Sequence, residues 1–427
     1  MVTFYNDRAK SYPVIYHAPG MARQFPQWLR LVDTMHGKPA GLSDELSLIT
    51  WCDNPEITMV GRSLAKWGCK PAVLGQHLGS HWANTHKIRL TVEYLQNCKT
   101  PYVMGLDAFD VILTAHPHEA LRRFKLLGSK LMYNASLRRW PARTKVLHDC
   151  DVFEQSLPGP YRHLNAGCWI AETDYALNFY ANVLATLDTK AGEFPERIRL
   201  NEQPYVKYCA FPGSSPAVSV DTGCHIFQHM AGASHLVEIP EGPCGETYID
   251  LGANIGKTAL SWLLSNPDTI VHAFEPQKSC LTSSSWDKAR EVGGDRLTIH
   301  PVAVGTIDAE TTLRAEADKP HGQSATTCAT KVYPQANLTE RVPQIDFVKW
   351  LQDLKPEGFV TLKIDIEGAE YAILRKAMDS NALLAVHQIF IEWHSSKLSN
   401  RPEILPIEEE LRAYCHKHGI CLVEYVH

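Results

Sequence analysis

Two hydrophobic periods alternate along this chain. Apolar runs of strand length at Leu48–Cys52, 71–76 and Tyr102–Leu106 are separated by segments, Arg62–Gly68 and His86–Leu95, whose apolar positions return every three or four residues. The runs read as buried strands and the spaced segments as helices with one face on a core. Strands alternating with helices predict a parallel α/β sheet. Ahead of this region, Pro13–Gly20 reads as a strand entering a tight turn and 25–35 as a short helix. The alternation resumes after a Pro-, Gly- and Cys-rich stretch at 238–246. There Tyr248 and Ile249 lead through a glycine turn into the helical 258–264, and further strands are expected at Ile270–Phe274, 297–305, Val360–Ile364 and Ile389–His394. Two α/β domains are predicted, 1–240 and 241–427.

Composition narrows the function classes. With 44% apolar and 21% charged residues the 427-residue chain is ordinary globular protein, long enough for two cores. A net charge of −5 argues against a general nucleic-acid binder, whose footprint would be basic. No apolar run approaches the roughly 18 residues that span a bilayer, and the first ten residues lack a signal-peptide core, so a cytoplasmic protein without a membrane span is expected. The 12 cysteines are scattered without a C-x-x-C pair, which indicates neither zinc site nor disulfide framework.

The chemistry of the second half starts at Asp250-Leu251-Gly252-Ala253-Asn254-Ile255-Gly256. Glycines at the strand-to-helix turn let the backbone approach a ligand closely, and the helix start offers unpaired N–H groups. The G-x-x-x-G spacing is not the G-x-G-x-x-G of dinucleotide folds, which favours S-adenosylmethionine over NAD. Glu275, ending the second strand, stands where ribose hydroxyls would be held. Together with Val360–Glu370 and Ile389–His394, these motifs resemble the FkbM family of S-adenosylmethionine-dependent O-methyltransferases over Thr247 to about His394. The resemblance implies a doubly wound, Rossmann-like sheet, with Asp250, Gly252, Asn254, Gly256 and Glu275 as cofactor residues and Val302-Ala303 near the adenine. A sugar hydroxyl is a poor nucleophile near neutral pH, so a base or metal must assist. Asp365 and His394 are joint candidates, and Glu367, Glu370 and Glu392 are alternative holders of a divalent ion.

In the first half, a strand runs directly into Asp107-Ala108-Phe109-Asp110. Paired carboxylates in such a turn suit a divalent ion, Mn²⁺ or Mg²⁺, carrying a diphosphate. The segments 82–95, 106–113, 130–141, 163–170, Asn201–Tyr205 and Asp221 with Phe227–His229 resemble, in order, the glycosyltransferase domains of procollagen galactosyltransferases and lysyl hydroxylases. That resemblance implies a GT-A fold and a UDP-sugar donor, with Asp107 and Asp110 on the metal. It also implies Lys87, Asn165 and Gln203 at the donor or acceptor, and Glu202 as a sugar contact or catalytic base. Those domains end in a His-bearing strand for which there is no room here. Pro13–Gly20 resembles it, so residues 1–45 either supply that element in permuted order, with His17 as third metal ligand, or are the tail of an upstream domain, or carry His17 as a surface residue. His225, His229 and His235 are alternatives. Asp149-Cys150-Asp151 is read as a capped loop, because no strand leads into it.

A sugar-transferring domain fused to an O-methyltransferase implies that the first makes the glycan acceptor of the second. The order also resembles the multidomain glycan-building proteins of large algal viruses, which implies a rhamnose-containing glycan. Competing readings are a glycan-binding module without turnover in the first half, methylation of a lipid or small metabolite, and methylation of collagen-like peptide hydroxyls.

Overall fold

A computed structural model describes residues 3–6, 8–19, 31–33, 35, 37–53, 58–142, 144–211, 218–231, 236–239, 247–315, 325–332, 338–356 and 358–425. The chain forms two compact units, Met1–Gly242 and Pro243–His427. Most of the helix expected at 25–35 lies outside the described residues, as does His235. Among the described residues, no helix is long and apolar enough to cross a membrane.

The first unit is built on a six-stranded sheet in the spatial order Ala72–Leu74, Leu46–Trp51, Tyr102–Asp107, His163–Glu172, Leu131–Ser136, Val218–Val220. The first three strands are parallel, and His163–Glu172 runs antiparallel to both its neighbours. The expected parallel sheet is therefore mixed in this unit. Helix His86–Leu95 buries Ile88, Thr91, Val92 and Leu95, the spacing that puts one stripe on the core. The helix expected from Arg62 starts earlier, at Met59, where the Thr58 side chain accepts the Gly61 N–H. Asp149 and Asp151 lie not in a loop but in the first turn of helix His148–Ser156, where acids complement the helix dipole.

A second, three-stranded sheet decides the position of the N-terminal segment. Ile15–His17 lies between Phe227–His229, parallel to it, and Val111–Leu113, antiparallel. The Asp221 carboxylate accepts the N–H groups of His225, Ile226 and Phe227 and so shapes the turn entering the parallel partner. Backbone bonds from Ala18 N to Asp110 O (2.8 Å) and from Met230 N to His17 O (2.8 Å) fix the end of the strand against the Asp107–Asp110 turn.

In the second unit all six strands of the main sheet are parallel, in the order Leu297–His300, Ile270–Phe274, Thr247–Leu251, Val360–Ile364, Gln388–Glu392, Cys421–Tyr425. Its central strands are buried at every position, as expected where helices cover both faces, and the charged Asp250, Lys363 and Glu392 stand at or near their carboxyl ends. The order reverses between Thr247–Leu251 and Val360–Ile364, the switch point at whose carboxyl ends ligands bind in such sheets. The expected single strand at 297–305 is two, Leu297–His300 and Ala303–Gly305, in different sheets. Pro301 stands at the break, where its missing N–H would interrupt a ladder.

In the first unit, Gly105 lies beneath the rings of Trp51 and Trp169, and a Cβ there would overlap the Trp169 indole and come within 2.5 Å of the Trp51 ring. Gly105→Ala should therefore cost about 1–3 kcal/mol, read as a lower denaturant midpoint in tryptophan fluorescence. An unchanged midpoint would mean that the two rings yield without cost.

Candidate functional site

Three chemically matched side chains meet at the carboxyl end of the Tyr102–Asp107 strand. His17 Nε2 lies 3.4 Å from Asp107 Oδ2 and 3.4 Å from Asp110 Oδ1, the His being 1% exposed and the two acids 21% and 29%. Their ligand atoms are close enough to share one metal ion. His17 Nε2 has no hydrogen bond of good geometry among the described residues, and neither has Asn134 Oδ1. The Asn134 amide lies 3.3 Å from His17 Nδ1. Turned about its own axis it would accept the Nδ1 proton, so that a cation displacing the Nε2 proton would meet a lone pair facing the two carboxylates. One imidazole nitrogen with carboxylate oxygens is a donor set that fits Mn²⁺ or Mg²⁺.

The Leu164–Gly167 stretch is not a turn but part of the strand His163–Glu172, at a shift in its pairing with Leu131–Ser136, and it comes against this cluster because residue 167 is glycine. A Cβ there would overlap His17 Cε1 and Asp107 Oδ2. Asn165 Oδ1 accepts the Gly167 N–H at 3.1 Å. Gln203 Oε1 accepts the Ala166 N–H at 3.1 Å, and its Nε2 donates to the Trp140 carbonyl at 2.7 Å. Gln203 thus holds this stretch of the strand in place. Lys87 Nζ, over the Trp51 ring, donates to Asp107 Oδ1 at 2.6 Å and Glu202 Oε1 at 3.1 Å. The second oxygen of Glu202 has no hydrogen-bond partner among the described residues. Burial alone would lower the His17 pKa, but Asp110 and Asp107 outweigh it and lift it to about 9. Lys87 is raised as Asp107 and Glu202 overcome burial, Asp107 is held below the usual carboxylate range by Lys87 and His17 against its burial, and burial pushes Glu202 up. His229 stands apart, with its ring 5.6 Å from that of His17 and its pKa pushed down to about 3 by burial and by His17.

The second unit gathers its candidates at the switch point. Gly252, Asn254 and Gly256 have φ of +83°, +48° and +80°. Gly252 is required twice over, since a Cβ would also collide with the Asp365 carbonyl. The turn is tied down by Trp286 Nε1, which donates to the Asn254 carbonyl at 2.9 Å, and helix Lys257–Ser265 begins beside it. Glu275 accepts the Asn254 N–H at 2.8 Å and the Gln277 N–H at 2.8 Å, and burial pushes its pKa up to about 7. A carboxylate beside a glycine turn and a helix start fits the ribose and charged end of S-adenosylmethionine. Asp250, fully buried, receives Lys363 Nζ at 3.0 Å, and the same ammonium lies 3.4 Å from Asp365 Oδ2.

His394 is buried among acids: Nδ1 is 3.1 Å from Glu370 Oε1, and Nε2 is 3.1 Å from Glu392 Oε1, 3.4 Å from Glu367 Oε2 and 3.9 Å from Asp365 Oδ1. Burial is outweighed by Glu370 and Glu392, which lift its pKa to about 10. At neutral pH such a histidine carries its proton and is no base unless another cation replaces that charge. Sequence reasoning missed Lys363, Asn134 and Gly167, although each lies in a motif already quoted. It also missed Lys331, whose Nζ pairs with Glu367.

Two expectations follow. Gly167→Ala should weaken Mn²⁺ binding by roughly tenfold or more, checked by titrating the metal into the full chain with melting temperature as a control. S-adenosylmethionine affinity should rise from pH 6 to pH 8 as Glu275, with its pKa near 7, ionises and becomes a full acceptor for hydroxyls. In calorimetry Glu275→Gln should flatten that rise and weaken binding by roughly tenfold; an equally steep profile in the variant would remove Glu275 from the site.

No curated protein matches this chain. Residues 250–419, which take in Asp250, the glycine turn, Glu275, Asp365 and His394, match the model of the methyltransferase FkbM domain, and this half of the chain is thereby supported as a methyltransferase.

Proposed function

We propose that the chain joins two transferases acting in sequence on one glycan. The first unit transfers a sugar from a UDP-sugar with Mn²⁺ or Mg²⁺, and the second methylates a hydroxyl of the product from S-adenosylmethionine. The observation that carries the first half is the arrival of His17 at the Asp107–Asp110 turn. A histidine and two aspartates come from separate stretches of sequence to one point, with Lys87 and Glu202 beside it.

In this reading Asp107, Asp110 and His17 hold the cation, which neutralises the diphosphate as the sugar leaves. Lys87 meets donor phosphate or sugar, Asn165 faces the sugar, and Gln203 steadies the strand segment that bears Asn165. Glu202, whose proton affinity burial raises, takes the acceptor's proton. In the second unit Asp250 and the glycine turn shape the cofactor pocket and Glu275 takes the ribose hydroxyls. S-adenosylmethionine supplies an electrophilic methyl on a sulfonium. Asp365, beside His394, holds the acceptor hydroxyl toward it and takes the hydroxyl proton as the methyl leaves the sulfur.

A second reading, a glycan-binding first unit without turnover, is favoured by the Lys87–Asp107 pair, which occupies one oxygen of the aspartate that a metal would need. UDP release with Mn²⁺ across a panel of UDP-sugars separates the two. Turnover by the full chain should fall by roughly a hundredfold or more in an Asp107→Ala, Asp110→Ala double variant. Sugar binding without turnover, given a glycan acceptor, would leave the methyltransferase as the enzyme.

A further inference from the structure

The acids around His394 are the strongest feature that the family match does not account for. Ile364 is paired in register with Ile391 on the neighbouring strand, so the next residues, Asp365 and Glu392, end adjacent parallel strands side by side. Two carboxylates so placed repel unless a positive charge stands between them. His394 follows two residues later and is 0% exposed.

The imidazole is oriented from behind. Glu370, also 0% exposed, accepts the Gly368 N–H with one oxygen at 2.8 Å and faces His394 Nδ1 with the other at 3.1 Å. A buried carboxylate that already takes a backbone N–H accepts and does not donate, so Nδ1 carries the hydrogen. A cation that displaces the second proton would then meet the Nε2 lone pair facing forward. A carboxylate fixing the far nitrogen of a histidine is the arrangement that orients metal-bound imidazoles.

Forward of Nε2 lie Glu392 Oε1, Glu367 Oε2 and Asp365 Oδ1, at 3.1, 3.4 and 3.9 Å. None of them forms a hydrogen bond of good geometry with it, so a buried ring nitrogen is aimed among oxygens without lining up on any. Of these oxygens, Glu367 Oε2 is already compensated by two lysines, which leaves Glu392 Oε1 and Asp365 Oδ1 as the ones open to a cation. Lys331 and Lys397 pair with Glu367, and Lys363 lies between Asp250 and the other oxygen of Asp365. Asp365 is 20% exposed, which gives the cluster a way in from solvent.

We propose that Asp365, Glu392 and His394 form a divalent-cation site in the second unit. One nitrogen and several carboxylate oxygens suit Mn²⁺ or Mg²⁺, ions that keep positions for further oxygen ligands. Those positions take hydroxyl oxygens of the methyl acceptor. This role rests on the O-methyltransferase reading, whereas binding of the ion does not. The chain would then hold two cations, one in each unit, of which the His394 site orients a polyol.

The test is Mn²⁺ binding to metal-stripped full-length chain, counted from the electron paramagnetic resonance signal of free Mn²⁺. In the Asp107→Ala, Asp110→Ala chain one tight site should remain, with ¹⁴N modulation of the bound ion from a directly coordinated imidazole. Adding Glu392→Gln should weaken it by at least tenfold. No bound Mn²⁺ in the double variant, bound Mn²⁺ without ¹⁴N modulation, or affinity untouched by Glu392→Gln would each overturn the site and leave His394 as a doubly protonated bridge between Glu370 and Glu392. S-adenosylmethionine binding, measured by calorimetry on the same samples, separates the two failures. Cofactor bound without Mn²⁺ sinks the cation site alone, and absence of cofactor binding sinks the methyltransferase reading.

Discussion

Carboxylates collected at the ends of buried strands stay ionised only where positive charge stands among them. Lys363, 3% exposed, is that charge in the second unit: it reaches Asp250, the Gly252 carbonyl and Asp365, and so ties the ends of the two strands on either side of the switch point. Removing one partner of such a buried pair leaves the other charge without compensation, at a cost of several kcal/mol. Lys87 does the same between Asp107 and Glu202 in the first unit. Each unit therefore carries an excess of acid around a fixed cation, and both proposed ion sites lie next to that cation.

Close backbone approach is the second constraint. Gly252 lets its turn lie on the Asp365 carbonyl, Gly256 accommodates Trp286, and Gly167 lets its strand rest on His17 and Asp107. In each case the missing Cβ leaves room for a neighbour from the same site, so these glycines set how near the reactive groups stand to one another.

The sequence disclosed most where one segment carries its own meaning. The strand, glycine turn and helix from Thr247 to Ser265 were legible because hydrophobic run, turn chemistry and helix start follow without interruption. Ile15–His17 was legible as a strand, and the structure gives it two partners, at Val111–Leu113 and Phe227–His229. What stayed hidden depends on side chains from remote segments. The surroundings of His394 draw on Glu370 and Glu367 from one stretch and Lys331 from another, and no local spacing encodes that meeting. The reading of 297–305 as one strand failed because hydrophobicity continues across Pro301 while hydrogen bonding does not. Asp149 and Asp151 were misread as a loop because no strand leads into them, although acids are equally at home in a first helical turn.

The three-stranded sheet that presents His17 also orders events in time. Ile15 is paired with Phe227, so almost the whole of the first unit is synthesised before that strand meets its parallel neighbour. Contacts so remote in sequence carry a large loop-closure cost and form late, once intervening elements have brought the ends together. Asp107 and Asp110 lie on one continuous stretch with Val111–Leu113 and come together locally. The imidazole thus joins the two aspartates near the end of assembly, when the topology of the unit is complete.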